Sequence, residues 1–132
     1  MSAITMSMAL CWKLKSEEVR KRILKESVND RVHLSEKILD EYFNDRNWRS
    51  RISFPNLDIL SPTKCILGQL FASDADGECF LAAYHRGLNM LDITSEQEET
   101  LAFNVNTTYD QVKLRRFEIE LLQKAWWRVL SN

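Results

Sequence analysis

Cys65 and His85 are the residues in this sequence best suited to covalent chemistry, as a nucleophile and its base. Ser61-Pro62 is a typical helix start, which places Cys65 in the first turn of a helix, where the helix dipole favours a thiolate. His85 lies on the next predicted helix, and Gln69 supplies a third polar group. The alternative is a core cysteine, because Cys is among the most buried residue types and no nucleophile signature surrounds this one. We therefore predict no catalytic residue and no enzyme, with a Cys-dependent enzyme as the second alternative.

Metal-binding side chains lack the spacing of a metal site. Cys65, Cys79 and His85 show no paired spacing of the kind that structural zinc sites use. The run Asp74-Ala-Asp-Gly77 resembles part of a calcium loop, but alanines fall at the first and last ligand positions. The three glycines lie too far apart for a phosphate-binding loop. We predict neither a metal nor any other cofactor.

Basic residues in the first half of the chain provide the alternative of a small nucleic-acid-binding regulatory protein. Lys and Arg contact phosphates, and the adjacent Trp48 could stack on a base. Acidic residues Glu17, Glu18 and Glu26 are interspersed on the same predicted helix and reduce the local field. The nucleic-acid-binding residues of this alternative are Arg20, Lys21, Arg22, Lys25, Arg49 and Arg51.

The middle of the chain is strongly acidic, although the net charge is only −1. Residues 1–54 carry 11 basic and 8 acidic side chains, residues 55–110 carry 2 and 9, and residues 111–132 carry 5 and 2. Such a region could dock against a basic partner surface, or it could be a solvated helix start that the dipole favours. The candidate partner-binding acids are Asp92, Glu96, Glu98 and Glu99, with Asp74, Asp76 and Glu78 in the same acidic 74–99 region.

Composition indicates one helical domain over residues 1–132. The chain is 45% hydrophobic with four Trp and six Phe, which is enough for a core. Three glycines and two prolines favour helices over a turn-rich β fold. Three cysteines without paired spacing argue for a reducing compartment. No apolar run approaches the length of a membrane span, so we expect no membrane association.

A helical hairpin over residues 61–91 is the predicted centre of a mainly α fold. Ile66, Leu67, Leu70 and Phe71 form one apolar stripe of its first helix. The apolar face of its second helix consists of Leu81, Tyr84, Leu88 and Leu91. Gly68 and Gly87 cost helix stability, and close approach of the two helices is the expected reason for their presence.

Further helices are predicted on both sides of this hairpin. Ser16 caps a helix that breaks at Asn29-Asp30, and another runs from Val32 to Arg46. A capping box at Ser95-Glu-Gln-Glu98 predicts a short helix over about 95–102. The longest helix begins at Thr107 or Thr108 and ends near Leu130.

An α+β fold with a minor sheet is the alternative. Apolar residues at every second position from Ile4 to Leu14 are typical of a half-buried strand. Residues 51–54 and 101–105 are its candidate partners. A helix competes over 4–14, since Met, Ala and Leu are good helix formers.

The last helix is apolar on two sides. Its second stripe includes Leu114, Phe117 and Leu121, which either pack centrally in the fold or face a partner protein or a second copy. We include these three residues among the candidate partner-binding residues.

Six short motifs in this sequence resemble a family of small uncharacterised bacteriophage and prophage proteins, especially those of actinobacteria. The likeness covers about residues 40 to 130, and no activity is established for that family. The chain departs from the pattern in an acidic insert at Asp74–Cys79 and in its first 30 residues. The motifs are Trp48-Arg-x-Arg51-Ile, Leu57-Asp-Ile59, Cys65-Ile-Leu-Gly-Gln-Leu-Phe71, Tyr84-x-x-Gly-Leu88, Ala102-Phe-Asn-Val105 and Leu122-x-x-Ala-Trp-Trp-Arg-Val-Leu130.

The resemblance implies a phage-type accessory protein that binds other proteins. Such proteins often inhibit or modulate host factors and defence systems, as anti-CRISPR proteins do. We therefore expect a host or defence-system protein as partner, in the cytoplasm of an infected or lysogenic bacterium, with a homo-oligomer as a variant.

Overall fold

The computed structural model describes residues 16–44, 47–73, 76 and 81–131. Within them the chain forms six α-helices and one 3₁₀ turn at Phe54–Asn56, and it contains no strand. The predicted mainly α class is confirmed. The α-helices are α1 (Glu17–Tyr42), α2 (Trp48–Arg51), α3 (Ile66–Leu70), α4 (Ala82–Met90), α5 (Ser95–Glu98) and α6 (Val112–Ser131).

The minor sheet has no support in the described residues. Its central segment, residues 4–14, lies outside them. Of the two candidate partner segments, 51–54 contains the end of α2 and the start of the 3₁₀ turn, and 101–105 is irregular.

Helix α1 runs without interruption through Asn29 and Asp30, so the predicted break is wrong. Both residues are exposed, and their low helix propensity lowers the stability of the helix by less than about 1 kcal/mol each. The buried face continues on both sides of them through Leu24, Val28, Val32 and Leu39. Burial of that continuous face outweighs the local preference. The predicted cap is present, since the Ser16 hydroxyl accepts a hydrogen bond from the Val19 N–H at 3.3 Å.

Helix α6 packs along α1 and completes the core. Trp126, fully buried, stacks on Phe103 with ring centroids 6.0 Å apart and meets Trp48 edge-on at 6.3 Å. The helix begins at Val112, later than predicted, because Thr107 is engaged elsewhere. Tyr109 is consequently exposed before the helix starts.

Helices α3 and α4 form the predicted hairpin, and the two glycines in it have different roles. A Cβ on Gly87 would lie 3.1 Å from Leu67 Cβ and 2.9 Å from Phe71 Cδ2, so this glycine does permit close helix packing. A Cβ on Gly68 would lie 2.4 Å from the Pro62 carbonyl oxygen. Gly68 therefore accommodates the preceding turn, and the expectation of a helix–helix contact there is wrong. That turn occupies residues 62–64, and α3 starts only at residue 66.

Helix α5 is capped one residue earlier than predicted. Thr94 and Gln97 form the capping box, with the Gln97 N–H donating to the Thr94 hydroxyl at 3.2 Å and the Thr94 N–H donating to Gln97 Oε1 at 3.0 Å. The helix ends at Glu98, short of the predicted residue 102.

Candidate functional site

A buried ion pair joins the two long helices. The Arg31 guanidinium on α1 lies 2.8 Å from the Glu118 carboxylate on α6, and neither side chain is more than 5% exposed. Arg31 also donates to the carbonyl oxygens of Leu101 at 3.0 Å and Asn104 at 2.8 Å. The pair therefore holds the irregular segment 101–107 between the helices; we call this arrangement the Arg31–Glu118 clasp.

Glu118 is fully satisfied as a carboxylate. It accepts hydrogen bonds from the backbone N–H of Asn106 at 2.9 Å, the N–H of Thr107 at 2.7 Å and the Thr107 hydroxyl at 2.5 Å. Burial raises the pKa of this carboxyl, but these bonds and Arg31 outweigh burial and hold the pKa below its ordinary value. Glu118 is thus charged at neutral pH.

Two further side chains fix segment 101–107. The Ser35 hydroxyl accepts from the Ala102 N–H at 2.7 Å and donates to the Arg31 carbonyl at 2.8 Å. The Trp126 indole N–H donates to the Ala102 carbonyl at 2.9 Å. The sequence patterns do not predict these contacts of Arg31, Ser35 and Trp126 with segment 101–107. The available signal was a polar Arg31 and Ser35 on the same helical face as Val28 and Leu39.

The acids Asp92, Glu96, Glu98 and Glu99 lie on and around α5; we call them the acidic surface. From Gly87 to Val112 the sequence contains five acidic residues, these four and Asp110, and no Lys or Arg. Glu96, Glu99 and Asp92 are exposed and Glu98 is half-buried. In the part of the chain that the structure describes, no basic side chain pairs with any of the four. None of the described cations therefore neutralises these acids through an ion pair.

The acidic surface is attached to the clasp. The Asn106 amide donates to the Glu99 carbonyl at 2.7 Å, while the Asn106 backbone N–H binds Glu118. On the other side, the Tyr84 hydroxyl donates to Glu98. Burial, with Glu98 adding to it, raises the pKa of Tyr84, so that hydroxyl remains a proton donor. The backbone at Glu99 and the side chain of Glu98 are thus held by side chains from outside α5.

The rest of the predicted acidic region is used differently. Asp76 pairs with Arg86 on α4, and Arg86 also donates to the Phe71 carbonyl. The bond from Arg86 is the main cause that lowers the pKa of the Asp76 carboxyl. Asp74 and Glu78 lie outside the described residues.

The six basic residues of the nucleic-acid alternative lie on two helices, α1 and α2. Arg49 on α2 lies 2.6 Å from Glu36 and 2.8 Å from Asp40, and its guanidinium lies 4.4 Å from the centroid of the Trp48 ring. Lys25 and Glu36 are separated by 11 residues of α1, or about 16 Å of helix. Nucleic-acid binding through these six residues stays a prediction.

Other basic residues of this set also have contacts within the chain. Lys21 lies 3.6 Å from Glu17 and 5.5 Å from the centroid of the Phe117 ring. The Arg51 guanidinium lies 5.1 Å from the centroid of the Phe43 ring. Arg22 and Lys25 are exposed, and Arg20 is half-buried.

The apolar stripe of the last helix faces inward. Leu114 is 5% exposed, and Leu121 packs against the core. Phe117 is half-buried, with Lys21 of α1 over its ring. The stripe therefore packs centrally, and the prediction that these residues face a partner is wrong.

Cys65 does not have the environment of a nucleophile. It is 2% exposed and caps α3, with its sulfur accepting from the Gly68 N–H at 3.3 Å. Burial raises the pKa of the thiol despite the hydrogen bonds from the helix N-terminus, so the helix dipole does not make this cysteine a thiolate. His85 is exposed, and its ring contacts the Tyr84 ring edge-on. No hydrogen bond joins His85 to Cys65.

The described residues show neither a metal-binding cluster nor a membrane-spanning helix. They contain no group of three or more His, Cys, Asp or Glu side chains that could hold a metal ion. None of the helices found there is both long enough and apolar enough to cross a membrane.

Comparisons of the chain with protein-family models, with curated proteins and with solved structures find no match in any of the three. The likeness to phage proteins accordingly stays a prediction.

Proposed function

We propose that this chain is a non-enzymatic protein-binding module of phage type, which inhibits or modulates a host or defence-system protein through its acidic surface. The observation that carries the proposal is that none of the four carboxylates pairs with a cation among the described residues, while Asn106 holds the Glu99 backbone and Tyr84 holds the Glu98 side chain. The partner surface would be basic, such as the nucleic-acid channel of a nuclease or polymerase. Such partners act in the bacterial cytoplasm, where we place the protein.

Preorganisation supports this role. The Thr94–Gln97 capping box and the bonds from Asn106 and Tyr84 hold α5 before any partner arrives. A surface fixed in advance loses less conformational entropy on binding. A mobile acidic loop with the same composition would bind more weakly for that reason.

Charge supports it as well. Acids without local compensation attract a basic partner over a distance and speed its association. That attraction is screened by salt, with a Debye length of about 8 Å at physiological ionic strength. A partner bound through this surface should therefore be released as salt rises.

The test is affinity capture from the lysate of an actinobacterial host with immobilised wild type and the double variant Glu96→Gln/Glu99→Gln. We expect wild type to retain a specific protein that the variant loses. Glu120→Gln is the matched control, because Glu120 is an exposed acid on α6 away from the acidic surface. Retention of the same protein by wild type and the double variant would contradict the proposal.

A second candidate function, nucleic-acid binding, is favoured by a different surface from the predicted one. The ring centroids of Phe54 and Trp127, two partly exposed side chains, lie 5.8 Å apart, and Trp127 lines a shallow hollow with Lys124 and Arg128 of α6. Neither of these two cations has an ion-pair partner among the described residues. Exposed rings next to cations can stack on bases and contact phosphates. A gel shift that weakens steeply with salt and is lost in Lys124→Ala/Arg128→Ala would support it.

A further inference from the structure

An apolar crevice lies between the loop that precedes α3 and the start of α4. Its volume is about 100 Å³. Leu60 and Leu81 stand at the rim, 50% and 53% exposed. The lining residues are Ile59, Leu60, Ser61, Pro62, Cys65, Leu81, Tyr84, Phe103 and Asn104.

The crevice has room for one aliphatic side chain. Apolar cavities of about 150 Å³ are large enough to take up benzene. Its walls include the buried Cys65 thiol, which is uncharged, and the buried ring of Phe103. An aliphatic group entering it would contact apolar atoms on several sides and cover the two exposed leucines.

The crevice adjoins the acidic surface. Asn104 lines it and also lines the hollow that Glu98 and Glu99 border. Tyr84 forms part of its wall, and its hydroxyl donates a hydrogen bond to Glu98. Carboxylates thus begin where the apolar lining ends.

We infer that the crevice is an anchor pocket for a partner segment in which one aliphatic residue is adjacent to Lys or Arg. The aliphatic side chain fills the crevice, and the neighbouring cation lies against Glu98 and Glu99. This inference rests on the proposed function and specifies the chemistry of its partner.

The charges select this occupant over others. An acidic segment or a nucleic acid would be repelled by the carboxylates beside the crevice. A purely basic segment would leave Leu60 and Leu81 exposed. A segment with both features satisfies both parts of the site, and residues that enter well-packed, desolvated pockets contribute most to the binding energy of an interface.

The test is a selection of random dodecapeptides displayed on yeast, with the full chain as bait. We expect enrichment of peptides that carry Leu, Ile, Val or Met next to Lys or Arg. Leu81→Asp should bind the enriched peptides at least about tenfold more weakly, since it removes apolar contact at the rim. Met90→Asp is the matched control. Met90 is 54% exposed at the other end of α4, and this substitution adds the same negative charge as Leu81→Asp.

Several results would overturn the inference. These are a selection without enrichment, enriched peptides that lack the cation or the aliphatic residue, and equal weakening by Leu81→Asp and Met90→Asp. A wild-type dimer in light scattering that Leu81→Asp separates would assign the crevice to a second copy and overturn it too.

The two proposals can fail separately. Peptide binding that depends on Glu99→Gln but not on Leu81→Asp removes the anchor pocket and leaves the acidic surface as a binding site. Peptide binding through Leu81, together with a lysate capture that Glu96→Gln/Glu99→Gln does not change, removes the acidic surface as the functional site.

Discussion

Glu118 and the acids of the acidic surface are the same kind of side chain used in two opposite ways. Glu118 is fully buried, pairs with Arg31 and accepts three further hydrogen bonds. Glu96 and Glu99 are exposed and have no ion-pair partner among the described residues. Asn106 connects the two regions. Its backbone N–H donates to the Glu118 carboxylate, and its side-chain amide donates to the backbone carbonyl oxygen of Glu99. One carboxylate stabilises the fold, and that fold presents the others.

This difference separates stability from binding in a way that mutations can test. A carboxylate that is buried and paired should be required for folding. A carboxylate that is exposed and unpaired should be dispensable for folding and required for binding.

Glu118→Ala should lower the free energy of unfolding by about 3–5 kcal/mol, because it leaves the Arg31 charge buried without a partner. Urea denaturation followed by Trp fluorescence measures this change. Glu120→Ala on the same helix is the control and should change stability by less than about 0.5 kcal/mol. Equal effects of the two substitutions would show that the clasp does not stabilise the fold.

The contribution of Glu118 should depend on pH with a definite sign. The pKa of Glu118 lies below its ordinary value near 4.5, so its stabilisation is present above that value and is lost as pH falls through the folded-state pKa. Urea midpoints of wild type and Glu118→Gln, measured from neutral pH downward, should therefore converge in acid. A gap between the two proteins that stays constant across this range would contradict the prediction.

Arg49→Gln should have an intermediate effect, because Arg49 is partly exposed and pairs with both Glu36 and Asp40. Despite its partial burial, the two carboxylates raise the pKa of this guanidinium, so it stays charged. We expect a loss of about 1 kcal/mol, measured by urea denaturation, with the exposed Arg22→Gln as the control. If Arg49→Gln abolished a gel shift without changing stability, Arg49 would be a nucleic-acid-binding residue and not a residue that stabilises the fold.

Glu96→Gln/Glu99→Gln should change stability least, by less than about 0.5 kcal/mol, because both side chains are exposed and neither has an ion-pair partner among the described residues. Urea denaturation followed by Trp fluorescence measures this change too. A large loss of stability would mean that these acids belong to the fold, and would remove the contrast with Glu118.

Much of the fold could be predicted from local sequence patterns. The Ser16 cap, the hairpin of α3 and α4, and the long last helix each depend on residues close together in the chain. The break at Asn29-Asp30 was wrong because burial of a continuous helix face outweighed a weak local preference. The start of α6 was wrong because Thr107 binds Glu118, 11 residues away, and does not cap the helix.

The site could be predicted only in part. The acidic composition of residues 92–99 is visible in the sequence, and so is the absence of a nucleophile signature around Cys65. The clasp joins Arg31 to Glu118 across 87 positions, and the sequence alone does not specify such a contact. The inward orientation of Leu114 and the internal pairing of Arg49 depend on the same long-range packing.

Carboxyl footprinting tests the central claim most directly. Carbodiimide labelling followed by mass spectrometry reports which carboxylates are accessible, in the free protein and in the complex with the captured partner. We predict that Glu96 and Glu99 are labelled in the free protein and protected in the complex, while Glu118 is protected in both. Labelling of Glu118 in the free protein, or equal labelling of Glu96 and Glu99 in both states, would contradict the account.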